Sequence, residues 1–142
     1  MADLGAYVDR TIDLPWRWGQ QDCTMWVADW CLARWNIDPA HRFRGTYSTE
    51  LEARAITARG LAATVTPEIP LRRKSQPDCG DIGVIEINGH EVAAIWDGAH
   101  WHLSFSPEMF FSLVGGNARV RPMKGTAPRG QTPAEDERFK SD

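Results

Sequence analysis

The spacing of apolar residues changes once along this chain, and that change limits the fold more than any other feature. Residues 23–36 carry apolar side chains three and four positions apart, the spacing of one helix face, and Asp22 precedes them as a good N-cap. From residue 80 onward the pattern alternates, as in GDIGVIEI (80–87) and EVAAIW (91–96). This order predicts an α+β domain with N-terminal helices packed on a C-terminal antiparallel sheet.

Two more helices are predicted before the strands. Residues 2–12 have helical spacing, and Thr49 followed by Glu52 forms a capping box that begins another helix, which Gly60 should close. Residues 61–78 contain three prolines, so we expect irregular structure there. The basic run RRK (72–74) should form a solvated face, or alternatively contact an acidic partner.

The rest of the predicted sheet lies after residue 96. HWHLSF (100–105) should be a strand that follows the Asp97-Gly98 turn, residues 110–114 a short strand or turn, and residues 118–122 an edge strand. The polar residues 124–142 are expected to be a tail, extended or bound to a partner.

The totals exclude several classes of function. A length of 142 residues fits one domain, which we place at residues 1–123, followed by the tail at residues 124–142. A net charge of -3 does not favour nucleic-acid binding. No apolar run approaches the roughly 20 residues of a membrane span, and we see no secretory signal. Cytoplasmic synthesis is expected.

Cys23 is the residue most suited to chemistry. The positive end of a helix dipole and the free N–H groups there favour a thiolate, so its pKa should fall, and the N–H groups can hold an oxyanion. A base is still required, and His90, His100 and His102 come from the strand region. The alternative is that Cys23 is a small buried apolar residue.

Metal and disulfide chemistry fit the cysteines poorly. Cys23 and Cys31 would lie about 12 Å apart along one helix, too far to form a disulfide or to share a zinc ion. The third cysteine, Cys79, makes the number odd, and no pair has the Cys-x-x-Cys spacing. We therefore expect no metal and no cofactor, and a zinc or redox module is disfavoured.

The string WRWGQQDCTMWVADW resembles the start of the active site in NlpC-like, papain-fold peptidoglycan peptidases. The matching positions are Trp16, Trp18, Gly19, Asp22 and Cys23, and later Gly80 and Asp81. Closer still is a family of small phage-tail and gene-transfer-agent proteins, an offshoot of this fold. It shares the Trp-Gly-x-x-Asp-Cys start, the RGTYST segment (44–49) and the late Gly-Asp strand, so the likeness spans residues 14–122.

The resemblance implies an NlpC-type, papain-like domain over residues 1–123. Cys23 would attack the substrate, His90 or His102 would take its proton, and Trp16 and Asp22 would lie at the oxyanion site or groove. The chain departs from the family where Trp16 replaces a Tyr. Glu91, not His90, falls in the slot of the catalytic histidine.

The hairpin turn decides which histidine faces the site, because successive side chains of a strand alternate faces. With a two-residue turn, His102 pairs with Ala93 and shares a face with Glu91. With a three-residue loop, His102 pairs with Ala94 and shares a face with His90. The base is therefore His90 with His102 behind it, His102 alone, or neither.

Two functions follow from the resemblance. One is a phage tail-tip cysteine peptidase or amidase that acts on the peptides of cell-wall peptidoglycan during infection. The other is a catalytically degenerate papain-fold component of a tail tip or hub. Either would be made in the host cytoplasm and carried in the virion, with other tail-tip or hub proteins as partners and, if the chain is active, a peptidoglycan peptide as substrate.

Overall fold

A computed structural model of the chain describes residues 3–87, 89–104, 120–122 and 125–128. The α+β prediction is confirmed: helices occupy the N-terminal part and a small antiparallel sheet the C-terminal part. The helices are α1 (Leu4–Thr11), α2 (Cys23–Trp35), α3 (Glu50–Ile56) and α4 (Leu61–Val65), followed by a 3-10 turn (Thr66–Glu68).

The described strands are β1 (Leu71–Lys74), β2 (Ile82–Ile87), β3 (His90–Trp96), β4 (Trp101–His102), β5 (Val120–Pro122) and β6 (Gly125–Pro128). They form one sheet in the order β1-β6-β2-β3-β4, and β5 also pairs with β2. The prediction for residues 110–114 lies outside the described residues. In the predicted tail, residues 125–128 form β6, and residues 124 and 129–142 lie outside the described residues.

The expectation of irregular structure over residues 61–78 is wrong. This segment contains α4, the 3-10 turn and β1, because Leu61 and Ile69 anchor it in the main core. Local proline content could not reveal that long-range packing. The expected solvated face at RRK is also wrong for Lys74, whose side chain is completely buried.

Helix α2 packs on the sheet through its apolar stripe. Val27, Trp30 and Cys31 share one core cluster with sheet residues that include Ile82 and Ile95. The indole N–H of Trp30, a residue with no exposed surface, donates a hydrogen bond of 2.8 Å to the carbonyl of Gly80.

Gly80 is required where α2 meets the sheet. Its φ is +90°, and a Cβ at this position would lie 2.1 Å from the Nη1 atom of Arg34. The glycine of the Gly-Asp pair therefore allows the close approach between α2 and the strand. None of the helices in the described ranges is long and apolar enough to span a bilayer.

Trp30→Phe should lower the free energy of unfolding by about 1–3 kcal/mol, because the buried carbonyl of Gly80 loses its donor. Trp35→Phe is the matched control, since Trp35 is only partly buried and its indole makes no hydrogen bond to the described residues. Urea denaturation followed by far-UV circular dichroism measures both variants. Equal losses for the two would show that the Trp30 hydrogen bond is unimportant.

Candidate active site at the start of helix α2

Asp22 organises the loop and the first turn of α2. Its carboxylate accepts four hydrogen bonds of 2.5–3.1 Å, from the backbone N–H groups of Gly19, Thr24 and Met25 and from the hydroxyl of Tyr47. The side chain is almost fully buried. The predicted N-cap is therefore confirmed, and the N–H groups of Thr24 and Met25 already have an acceptor.

The Trp-Gly turn before Asp22 is built for close packing. Gly19 has a φ of +81°, and a Cβ there would lie 2.1 Å from the carbonyl oxygen of Tyr47. The carbonyl of Gly19 accepts a hydrogen bond of 3.0 Å from the N–H of Gly45. The first half of the motif thus brings the RGTYST segment against the start of the helix.

Cys23 lies at the first helical position, as predicted, but its sulfur is enclosed. The residue is 6% exposed and belongs to an apolar cluster with sheet residues Ile85 and Val92. Among the side chains of the described residues, one makes a hydrogen-bond contact with the sulfur, the hydroxyl of Thr24 at 3.9 Å. No imidazole of the described part of the chain is bonded to it.

Burial raises the pKa of Cys23 to about 12, and the nearby charge of Asp22 adds to this effect. Hydrogen bonds from Thr24 and from the first helical N–H groups lower the pKa, but by less. The expected fall in pKa is therefore wrong for this structure, because loss of solvent outweighs the helix N-terminus.

His90 is the histidine that shares a cavity wall with Cys23. It begins β3, where it pairs with Ile87, and it is partly buried. Alternation along β3 places His90 on the same face as Val92, which lies in the cluster of Cys23. The structure thus brings Cys23 and His90 to one region without joining them by a hydrogen bond.

Glu91, in the slot of the family's histidine, lies on the opposite face of β3. Its Oε1 accepts a hydrogen bond of 2.9 Å from the N–H of Ala62, in the first turn of α4. Its carboxylate also packs against Gly60, whose φ of +103° opens that turn. Glu91 therefore holds α4 on the sheet and does not face Cys23.

His102 takes neither of the two predicted registers, because it pairs with Ile95. The side chain of Asp97 explains the longer loop. Its Oδ1 accepts hydrogen bonds from the N–H groups of Ala99 and His100, at 2.7 and 2.6 Å, and so folds the chain between the strands. The two loop lengths considered from the sequence did not include a loop closed by the side chain of Asp97.

Asp97 also holds the ring of His102, with 2.6 Å between Oδ2 and Nε2. The His100 N–H, the His102 ring and the Ala99 N–H keep the pKa of Asp97 well below its usual range. His102 shares a strand face with Ile95, whereas Cys23 clusters with residues of the other face. The histidine–carboxylate pair and the cysteine are therefore separate.

Trp16 lies beside the Cys23 cluster. It packs edge-on against Trp18, with ring centroids 5.5 Å apart, and both rings are partly buried. The indole N–H of Trp16 is buried and has no hydrogen-bond partner in the part of the chain that the structure describes.

A cavity of about 800 Å³ lies between the helices and strands β2 and β3. Its walls include Trp18, Asp22, Cys23, His90 and Glu91, but most of the lining is apolar. This volume is in the range of small-molecule sites. In the described part of the chain, no three His, Cys, Asp or Glu side chains are grouped to hold a metal ion.

Two residues important at this site were not predicted. Asp97 was interpreted only as a turn residue, although it lies five positions before His102, a spacing that a hairpin can close. Tyr47 was given no role of its own within the RGTYST segment, yet its hydroxyl donates a hydrogen bond to the carboxylate of Asp22 that caps α2. A polar aromatic residue in a matched motif was the available signal.

Comparison with known families gives two matches. A domain of unknown function, DUF6950, matches residues 1–111, which include α1–α4 and strands β1–β4. A chorismate binding enzyme family matches residues 86–142. Neither a curated protein nor a solved structure matches the chain.

Iodoacetamide at pH 8 should modify Cys79 in the native protein and leave Cys23 and Cys31 unmodified. Cys79 is exposed, whereas the other two thiols are buried and have raised pKa values. Peptide mapping by mass spectrometry, native and in guanidinium, measures all three sites. Labelling of native Cys23 at the rate of Cys79 would contradict the buried position of its sulfur.

The stability that Cys23 contributes should depend on pH above 9. Because its folded pKa is raised, this contribution is complete below about pH 9 and is lost as the pH rises towards 12. The difference in unfolding free energy between wild type and Cys23→Ala should change by about 1.4 kcal/mol per pH unit there. Urea denaturation under reducing conditions measures it, with Cys79→Ala as control. A difference that stays constant from pH 8 to pH 11 would refute the raised pKa.

Proposed function

The chain belongs to the DUF6950 family, and from that premise we propose that it is a structural component of a phage tail tip, built on a papain-like domain that no longer catalyses. The observation that carries this proposal is the state of Cys23. Its sulfur lies in an apolar cluster with 6% of the residue exposed, no imidazole of the described residues is bonded to it, and burial raises its pKa. A nucleophile in this form is not activated.

The other groups of a cysteine peptidase have structural tasks. The carboxylate of Asp22 accepts hydrogen bonds from the hydroxyl of Tyr47 and from the N–H groups of Thr24 and Met25. These N–H groups, which could otherwise hold an oxyanion, are therefore occupied. The carboxylate of Glu91 accepts a hydrogen bond from the N–H of Ala62 in α4. His102 is bonded to Asp97 and not to the cysteine. Each contact stabilises the fold, and none prepares Cys23 to attack.

The place in a phage tail is inferred from the resemblance of two segments. The Trp-Gly-x-x-Asp-Cys start and the RGTYST segment are features of the small phage-tail and gene-transfer-agent proteins. Both segments meet at Asp22, through the hydroxyl of Tyr47. Their pairing therefore has a reason in stability that does not require catalysis, and tail-tip or hub proteins are the proposed partners in the virion.

One observation favours a second function, a peptidase or amidase that cuts peptidoglycan peptides. Cys23 and His90 line the same cavity, and the N–H groups of the first helical turn partly offset the effect of burial on the thiol. Catalysis would require a rearrangement that exposes the sulfur and brings the imidazole to it. The structural function needs no such rearrangement and is the one we propose.

Genetic complementation separates the two functions. In a phage that lacks this gene, Cys23→Ala should restore complete tails and full plaque formation, as wild type does, because the sulfur only fills space. Electron microscopy of particles and plaque counts measure the result, and His90→Ala should behave in the same way. Release of peptides from purified cell walls by wild type but not by Cys23→Ala would overturn the proposal.

A further inference from the structure

Lys74 is a buried lysine that the proposed function does not use. Its side chain has 0% exposure, and its Nζ donates hydrogen bonds to Oδ2 of Asp81 at 2.7 Å and to Oδ2 of Asp78 at 2.6 Å. Asp81 is likewise buried, at 1% exposure, whereas the Asp78 side chain is 60% exposed. A nucleophilic amine thus lies against one buried and one solvated carboxylate.

The two oxygens of Asp81 have different surroundings. Oδ2 accepts from the ammonium of Lys74 and also, at 2.8 Å, from the backbone N–H of Asp78. Oδ1 is buried and has no hydrogen-bond partner within residues 3–87, 89–104, 120–122 and 125–128. Burial is the main cause that raises the pKa of Asp81, so its ionised form is costly here. One oxygen is held by donors and the other is not.

We propose that Lys74 and Asp81 condense to an intramolecular amide bond. The ammonium of Lys74 passes one proton to the carboxylate of Asp78, and the freed amine attacks the carboxyl carbon of Asp81. A C–N bond forms and the bond from that carbon to Oδ1 breaks. Oδ1 leaves as water with two of the three ammonium protons, one of them returned by Asp78, and no oxidant or cofactor is needed.

The physical setting favours condensation in two ways. Well-oriented groups held about 3–3.5 Å apart react with effective molarities of about 10⁵–10⁸ M. Here Nζ of Lys74 is held 2.7 Å from Oδ2 of Asp81, the oxygen bonded to the carboxyl carbon that the amine would attack. In water, ionisation of the free amine and acid opposes amide formation. Lys74 and Asp81 are both buried, so their charged forms cost free energy, and a neutral amide between them would remove that cost.

The bond would have a mechanical consequence. Lys74 ends β1 and Asp81 immediately precedes β2, and these strands are separated in the sheet by β6. An amide between Lys74 and Asp81 would covalently link β1 to the start of β2, the two strands that flank β6. This covalent link is independent of the proposed tail function, and neither proposal requires the other.

Intact-mass spectrometry of the full-length folded protein tests the proposal directly. We expect a mass lower than that of the sequence by one water molecule, and a tryptic map in which the chain is uncut after Lys74. Tandem spectra should lack fragments from cleavage between residues 74 and 81, since the bond closes a ring there. The full mass, with normal cleavage at Lys74 after prolonged incubation at neutral pH, would overturn it.

Two variants exclude other causes of water loss. Lys74→Arg keeps the positive charge but should retain its full mass, because a guanidinium does not form this amide. A succinimide, for example at Asp97-Gly98, would persist in Lys74→Arg and would therefore overturn the assignment. Asp78→Asn should slow the loss of water at least tenfold, and an unchanged rate would overturn the role of Asp78 as proton acceptor.

Discussion

The carboxylate of Asp22 is the contact on which the rest of the N-terminal half depends. It caps α2, closes the Trp-Gly turn and binds the hydroxyl of Tyr47, so one buried charge joins the start of the helix to a segment 25 residues further along the chain. Its own burial is offset because every oxygen accepts from a donor. The helix that it caps reaches the sheet through Trp30, whose indole N–H donates to the carbonyl of Gly80.

Cys23 shows how two opposite effects are resolved at a helix N-terminus. The N–H groups of the first turn favour a thiolate, whereas the apolar cluster around the sulfur favours a thiol. Desolvation wins because the sulfur is shielded by the sheet side chains and by Trp16, while Asp22 competes for the same N–H groups. Cys23 occupies the first position of α2, where a nucleophilic cysteine would be activated, but its side chain is surrounded by the apolar residues of a core cluster.

The remaining polar groups are distributed over both faces of the hairpin. Glu91 faces α4, His90 faces the cluster of Cys23, and His102 turns to Asp97 at the end of the hairpin. A strand reverses face with each residue, so a single step in register decides which group could reach the sulfur. In this register Glu91 holds α4 and Asp97 holds His102, and neither carboxylate is bonded to Cys23.

The local patterns of the sequence determined the α+β class, helices α1 and α2 with its Asp22 cap, the start of α3 at its Thr49 capping box, and the alternating strands β2 and β3. These depend on neighbours within a few residues, where spacing and capping chemistry act. Only the tertiary structure decided that residues 61–78 are ordered, that Lys74 is buried, that His102 pairs with Ile95, and that the sulfur of Cys23 is enclosed, which raises its pKa. Those outcomes depend on which distant groups exclude water from a side chain, and solvent exclusion is a property of packing that no local pattern contains.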